Sequence, residues 1–129
     1  MVHSITFEVS TQGFCDVIDV TAQVTAAVEK SGIKNGIVCI ANPGSTGGIT
    51  TIEFEPGAVA DLKAALEKLA PEGGRYRHND TWDDGNGFAH LRSALVGASQ
   101  SFPVREGKVV LGTWQQIVFL DFDNRPRRR

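Results

Sequence analysis

Between Tyr76 and His90 the chain reads Tyr-Arg-His-Asn-Asp-Thr-Trp-Asp-Asp-Gly-Asn-Gly-Phe-Ala-His, and this stretch concentrates side chains able to do chemistry. It holds His78 and His90, two of the three histidines, with Asp80, Asp83, Asp84 and Asn86 between them. Imidazole, carboxylate and amide at this density suit a metal ion or a polar substrate. Gly85 and Gly87 make the segment flexible, so nitrogen and oxygen donors can turn inward together. The spacing matches no standard pattern. The histidines are not the i, i+4 pair of a HExxH metalloprotease, and Trp82 falls where an EF-hand loop needs an oxygen ligand. Two readings stand: a functional histidine pair, or two histidines that cap helices and satisfy backbone groups.

Three further clusters invite chemistry. Pro43-Gly44-Ser45-Thr46-Gly47-Gly48 offers backbone N–H groups and hydroxyls to an oxyanion, so Ser45 and Thr46 are candidate anion-binding residues, with Arg92 as a cationic helper. The cluster lacks the Gly-Lys-Ser/Thr ending of a P-loop, and a strand-to-strand turn uses the same residues. Glu53 and Glu55 alternate about Phe54 at a strand end, which puts two carboxylates on one face around an inward Phe54. Such carboxylates repel unless a cation lies between them, and a solvated edge is the other reading. Arg125, Arg127, Arg128 and Arg129 carry forks suited to phosphate or carboxylate, although charged termini are commonly solvated.

The elements that must position these residues follow from periodicity. Ser4 to Ser10 alternates, with Ile5, Phe7 and Val9 on one face, and predicts a half-buried strand. A short strand near Cys15–Ile18 follows, then a helix from about Thr21 to Lys30 capped by Asp19 and packed through Val20, Val24, Ala27 and Val28. The continuous apolar run 36–41 predicts a strand covered on both faces, and 49–54 a Thr-rich strand. Pro56 opens an amphipathic helix to about Ala70 with Val59, Leu62, Ala65, Leu66 and Leu69 inward. Residues 88–96 predict a short helix carrying His90 and packed by Leu91, Ala94 and Leu95. Three closing strands are predicted at 101–104, 108–111 and 115–122, with Glu106-Gly107 as a hairpin turn. The result is one α+β domain over residues 1–129: a curved, mostly antiparallel or mixed sheet packed with helices.

Bulk properties narrow the function classes. With 129 residues, 41% hydrophobic and 22% charged, the chain suits one soluble globular domain. A net charge of −2 gives no general pull toward nucleic acid or anionic membrane. No apolar run approaches the roughly 20 residues that span a bilayer. Met1 to Ser10 lacks the pattern of a signal peptide. Cys15 and Cys39 read as buried free thiols, which points to a reducing, cytoplasmic setting.

The segments Gly44 to Glu53, Tyr76 to Asn79, Asn86 to Leu91, Leu111-Gly-Thr-Trp-Gln-Gln116 and Asp121 to Arg129 resemble the signature of the YjbQ family almost end to end. That family consists of small, mostly uncharacterised proteins, some labelled secondary thiamine-phosphate synthase. The resemblance implies a cytoplasmic α+β homotrimer. It implies polar pocket residues, some holding a metal, at His78, Asn86, His90 and Gln115. One departure matters. The commoner family pattern has Pro-His-Thr-Thr-Ala where this chain has Pro43-Gly44-Ser45-Thr46-Gly47, so Gly44 replaces a histidine. A metal would then take His78 and His90 plus oxygen ligands such as Glu53, Glu55, Asp83 or Asn86, shifting preference from zinc toward magnesium or manganese. The family label implies joining a pyrimidine diphosphate to a thiazole phosphate. The alternative is a metal- or small-anion-binding protein, or a hydrolase of some phosphorylated substrate. Two geometric expectations follow. His78 and His90 should line one pocket, joined by Asn86 or Gln115. Ile117-Val118-Phe119-Leu120, beside Trp114, should form an exposed strand that recruits another chain near the pockets.

Overall fold

The computed structural model describes all residues, Met1–Arg129. Eight strands and four helices follow in the order β1 (Ser10–Thr11), β2 (Asp16–Asp19), α1 (Thr21–Ser31), β3 (Gly36–Ala41), β4 (Gly47–Ile52), α2 (Pro56–Leu69), α3 (Arg77–Trp82), α4 (Gly87–Val96), β5 (Ser99–Arg105), β6 (Lys108–Val109), β7 (Gln116–Asp121) and β8 (Arg127–Arg128). All strand pairings are antiparallel, and they form three small sheets instead of the single curved sheet expected: β1-β8, β2-β7-β4 and β3-β5-β6. The α+β class stands.

β7 organises the core. It lies between β2 and β4, paired Asp16 to Asp121 on one side and Gly47 to Asp121 on the other. Side chains alternate along a strand, so its residues serve two apolar clusters. Val118 and Leu120, with Phe122 just beyond, join Cys15, Val17, Leu66, Phe88 and Ala89. Ile117 and Phe119 join Val20, Val24, Ile40, Ile49 and Phe102. The run expected to be an exposed, recruiting strand is therefore the most enclosed strand of the domain, because helices and strands cover both of its faces.

The helices begin and end as their sequences direct. Asp19 Oδ1 accepts the Thr21 N–H at 2.9 Å at the entry to α1, and Gly32, at φ 69°, closes it. The Glu55 carboxylate accepts the N–H groups of Gly57 and Ala58, and Pro56 takes the first turn of α2. Glu55 is thus a helix cap, and Glu53 beside it is exposed. Glu106 and Gly107, both at positive φ, form the β5–β6 turn.

Several expected faces are differently placed. Residues 1–9 form no ladder beyond a reciprocal backbone pair between Val9 and Arg129, so the expected Ser4–Ser10 strand shrinks to β1. β3 has the expected bounds but forms one edge of its sheet. Ile37 is 76% exposed and Cys39 is also exposed, so only Cys15 is a buried thiol. Ala65 and Leu69 of α2 face outward, as does Phe54 after β4. α4 buries Phe88, Ala89, Arg92 and Ser93, leaving Leu91, Ala94 and Leu95 on its outer face. No helix is long and apolar enough to cross a membrane.

Candidate functional site

The site gathers at the end of β7 that carries Asp121. Three segments meet there: the turn before β4, the α3–α4 connection, and the chain after β7 that returns to pair with β1. Thr46 O accepts the Phe122 N–H at 2.8 Å, tying the first to the third. Asn124 ties the second to the third: its Nδ2 donates to Asp84 O at 2.8 Å, and its N–H donates to Asn86 Oδ1 at 3.1 Å.

α3 was not expected, because its Arg-His-Asn-Asp-Thr-Trp sequence has no apolar stripe. It packs on α4, and Asn79 Oδ1 accepts the Gly87 N–H at 2.9 Å across the junction. Asp83 closes α3 in the left-handed region, at φ 50°, and Gly85 follows at φ 65°. This double turn brings α3 back against α4, so His78 and His90 meet with ring centroids 4.2 Å apart and planes tilted by 43°. Asp84 completes the group, its Oδ2 lying 3.1 Å from His78 Nε2. Ligand-type atoms of His78, Asp84 and His90 all lie within 4.8 Å of one another. The Asn86 backbone N–H, then His78, hold the Asp84 carboxyl below its ordinary range.

Beside this cluster opens a cavity of about 600 Å³ whose 12 lining residues include no hydrophobic side chain. The turn contributes Gly44, Ser45 and Thr46; the α3–α4 region contributes Asp84, Asn86 and His90; the C-terminal segment contributes Asp123, Asn124, Arg125, Arg127 and Arg129. Two of the arginines are held in the fold, while Arg125 and Arg128 stay exposed. Arg129 Nε donates to Asp121 Oδ2 at 2.9 Å, and Arg127 Nη1 to Asp123 Oδ2 at 2.9 Å. Arg129 Nη2 also donates to Thr46 Oγ1 at 2.6 Å, and Thr46 Oγ1 donates to Asp123 Oδ2 at 3.1 Å. Burial pushes the Asp121 carboxyl up, but Arg129, Thr11 and the Asp123 N–H outweigh it and leave it below its ordinary range.

The expected site residues fall into two groups. His78, His90, Asn86, Ser45 and Thr46 are brought to this region, although the Thr46 hydroxyl is committed to Arg129 and Asp123. Glu53, Asp83, Arg92 and Gln115 are not. Glu53 follows Ile52, which pairs with Gln116, whereas the site lies where Gly47 pairs with Asp121. A six-residue strand separates these ends by roughly 17–20 Å. Gln115 shares that far end and donates to Thr51 Oγ1 at 3.3 Å. Asp83 is the left-handed cap of α3 and is exposed, so the neighbouring Asp84 takes the place expected for it. Arg92 is 1% exposed, donates to Ala70 O and Glu67 Oε2, and lies over the Phe88 ring. It is a core residue, not an anion ligand. Arg129 was among the candidate arginines, but Asp121 and Asp123, which hold it and Arg127, were not singled out; their two-residue spacing at a strand end, ahead of the arginines, is the signal that could have found them.

A sequence model of the family described as UPF0047 protein YjbQ-like matches residues 5–129. A UPF0047 protein of Archaeoglobus fulgidus is 41% identical over 114 residues, covering 88% of this chain and 86% of that protein. The UPF0047 protein YugU of Bacillus subtilis is 36% identical over 126 residues, covering 96% and 92%. A YbjQ-like protein of unknown function from Sulfolobus solfataricus superposes with a TM-score of 0.87 at 40% identity, over 95% of this chain and 88% of that one. A YjbQ/UPF0047 family protein of Clostridium acetobutylicum gives 0.82 at 35% identity, over 95% of each chain. Sequence and architecture agree over nearly the whole length, and the chain belongs to the YjbQ-like UPF0047 family.

Proposed function

We propose that the polar cavity binds a small phosphorylated molecule, with a divalent cation at His78, Asp84 and His90, and serves hydrolysis or transfer at the phosphate. The observation that supports this most is a cluster of two imidazoles and a carboxylate, of which His90 and Asp84 also line an arginine-bearing cavity without an apolar wall, while His78 stands behind them. The donor set fits a cation. Ligand atoms within 4.8 Å of one another need only small side-chain shifts to reach metal distances of about 2.0–2.2 Å. The oxygen-rich set expected from the sequence leans toward magnesium or manganese; with a single carboxylate beside two nitrogens, zinc or manganese is the better match, since magnesium prefers oxygen alone. When bound, such an ion would polarise a phosphoryl oxygen and neutralise developing charge. The protein's own groups then divide the work. Asp84 orients His78, His90 borders the cavity, and Ser45 and Arg125 offer donors to the anion. Gly44 leaves the turn open beside Arg129: even a Cβ there would meet Asn42 Nδ2 at 3.3 Å and Arg129 Nη1 at 3.4 Å.

The narrower family label, joining a pyrimidine diphosphate to a thiazole phosphate with loss of pyrophosphate, uses the same anion site. Two aromatic rings would find little to stack on here, since His90 is the only aromatic side chain lining the cavity. We therefore place that activity second to a more polar substrate. A second reading of the cluster rests on the 3.1 Å contact between His78 Nε2 and Asp84. If that nitrogen keeps its proton and the other ring nitrogen stays free, the pair is a carboxylate-oriented general base. The free β3 edge and the outward apolar residues of α4 support self-association, with the homotrimer as the form we infer.

The experiment is a series of thermal melts with zinc, manganese or magnesium, each with and without inorganic phosphate. Wild type should gain several degrees from zinc or manganese, since a ligand bound only by the folded state raises the midpoint. His90→Ala should lose that gain while its own midpoint stays within a few degrees of wild type, because His90 is half-buried against His78 and belongs to neither apolar cluster. A phosphate shift with no metal shift would select the general-base reading. No shift from either would end the proposal.

A further inference from the structure

The cavity's charge pairing leaves two loose ends, and they stand together. Asp123 lines the cavity and is 2% exposed. Its Oδ2 is fully used, accepting from Thr46 Oγ1 and Arg127 Nη1. Its Oδ1 is buried and has no hydrogen-bond partner. Arg125 Nε lies 3.9 Å from that oxygen, beyond hydrogen-bond reach. Buried carboxylate oxygens are rarely left so, because the lost hydration is costly. The other carboxylates of the region are satisfied: Asp121 by Thr11 and Arg129, Asp84 by His78 and the Asn86 N–H. Arg125 is the matching loose end. It lines the same cavity, its side chain is 68% exposed, and its ion-pair contact is that distant approach.

We propose that Asp123 and Arg125 form a paired subsite for a hydroxyalkyl phosphate, a ligand with a phosphate and a hydroxyl on neighbouring carbons. The inference rests on the phosphate reading above and names its substrate class. The exposed guanidinium of Arg125 turns onto the phosphate, and its departure opens Asp123 Oδ1 to the ligand hydroxyl. A cation is a poor occupant, because Arg127 Nη1 and Arg129 Nη2 already stand 2.9 and 3.6 Å from the other oxygen. An amine would meet the same repulsion, whereas a neutral hydroxyl supplies the missing donor without added charge.

Calorimetric titration with inorganic phosphate, n-propyl phosphate and glycerol 3-phosphate tests this. Wild type should bind glycerol 3-phosphate about tenfold or more tightly than n-propyl phosphate, as expected for a hydrogen bond to a charged group. Asp123→Asn should lose most of that preference while still binding inorganic phosphate. Arg125→Ala, an exposed change safe for folding, should weaken all three probes by a similar factor and keep the preference. Equal binding of the two esters by wild type, with phosphate bound, would overturn the paired subsite and leave the phosphate reading intact. Failure of all three probes to bind would remove both.

Discussion

Asp121 shows how single residues hold the site in place, and its titration is testable. It is fully buried at the end of β7, bonded to Arg129 and Thr11, and its carboxyl sits below its ordinary range. A depressed carboxyl contributes stability that is present above the unfolded value and is lost as pH falls through the folded one. Arg129→Met strands that carboxylate and should cost about 3 kcal/mol at pH 7. The gap between wild type and variant should begin to narrow where the stranded, buried carboxyl of the variant takes up its proton, above the ordinary range, and should go on narrowing as pH falls through the depressed wild-type value. Urea melts across pH 3–7 measure it; a gap constant with pH would mean that packing, not charge, fixes Arg129. At this scale the sequence was legible in residue type more than in placement. His78 and His90 could be picked out because histidine is scarce and their neighbours are polar. Asp84 could not be told from Asp83, since the choice depends on a left-handed turn that closes an unforeseen helix. The arginine–aspartate pairs leave a local spacing at 121–129, but their partners Thr11 and Thr46 lie too far along the chain for any spacing to reveal them.

Elements bring the residues together, and their junctions are where the site should be most fragile. α3 and α4 touch through Gly87, where an added Cβ would overlap Tyr76 Cβ, a backbone-fixed atom that cannot swing aside. Gly87→Ala should cost about 1–3 kcal/mol by overpacking and should separate the two histidines. Loss of the ligand-induced rise in midpoint, at temperatures where circular dichroism still reports a folded chain, is the expected result; unchanged ligand response would show that the junction tolerates the shift. Deeper in the fold, Leu66→Ala opens a cavity in the cluster around Phe88 and should cost about 2–5 kcal/mol. Arg92→Ala should cost about 2–4 kcal/mol, because Ala70 O loses its donor and the Phe88 ring loses its cover. Phosphate binding by either variant, measured below its melting point, should match wild type; a selective loss in Arg92→Ala would restore its anion role. Elements with a clear period were read well: α1, α2 and the bounds of β3 came close. The face of α4 was misread because Arg92 and Ser93 take inward positions that hydropathy assigns to Leu91 and Leu95, and burial of an arginine becomes visible only when Glu67 and Ala70 O are seen to receive it.

For the whole molecule, the decisive question is what covers its remaining apolar surface. The sequence suggested a strand at 117–120 short of cover, and the fold encloses it. The surplus lies elsewhere: Ile37 on the free edge of β3, Leu91 and Leu95 on the outer face of α4, Leu69 at the end of α2, and Trp82 and Trp114, each at least 70% exposed. Periodicity could not locate this surplus, because an apolar run looks the same whether its cover comes from its own chain or another. β3 presents unpaired backbone groups along Gly36–Ala41, and a bare edge bearing Ile37 invites pairing with a second copy. Light scattering after size-exclusion chromatography should give three times the mass of the 13.9 kDa chain at micromolar concentration. Ile37→Lys, which places a charge on that edge without touching either core cluster, should shift the population to smaller species while leaving the helical signal unchanged. A wild type that stays monomeric to high concentration would rule out the trimer. A trimer unaffected by Ile37→Lys would move the interface from β3 to the outer face of α4, where Leu95→Lys is the corresponding test.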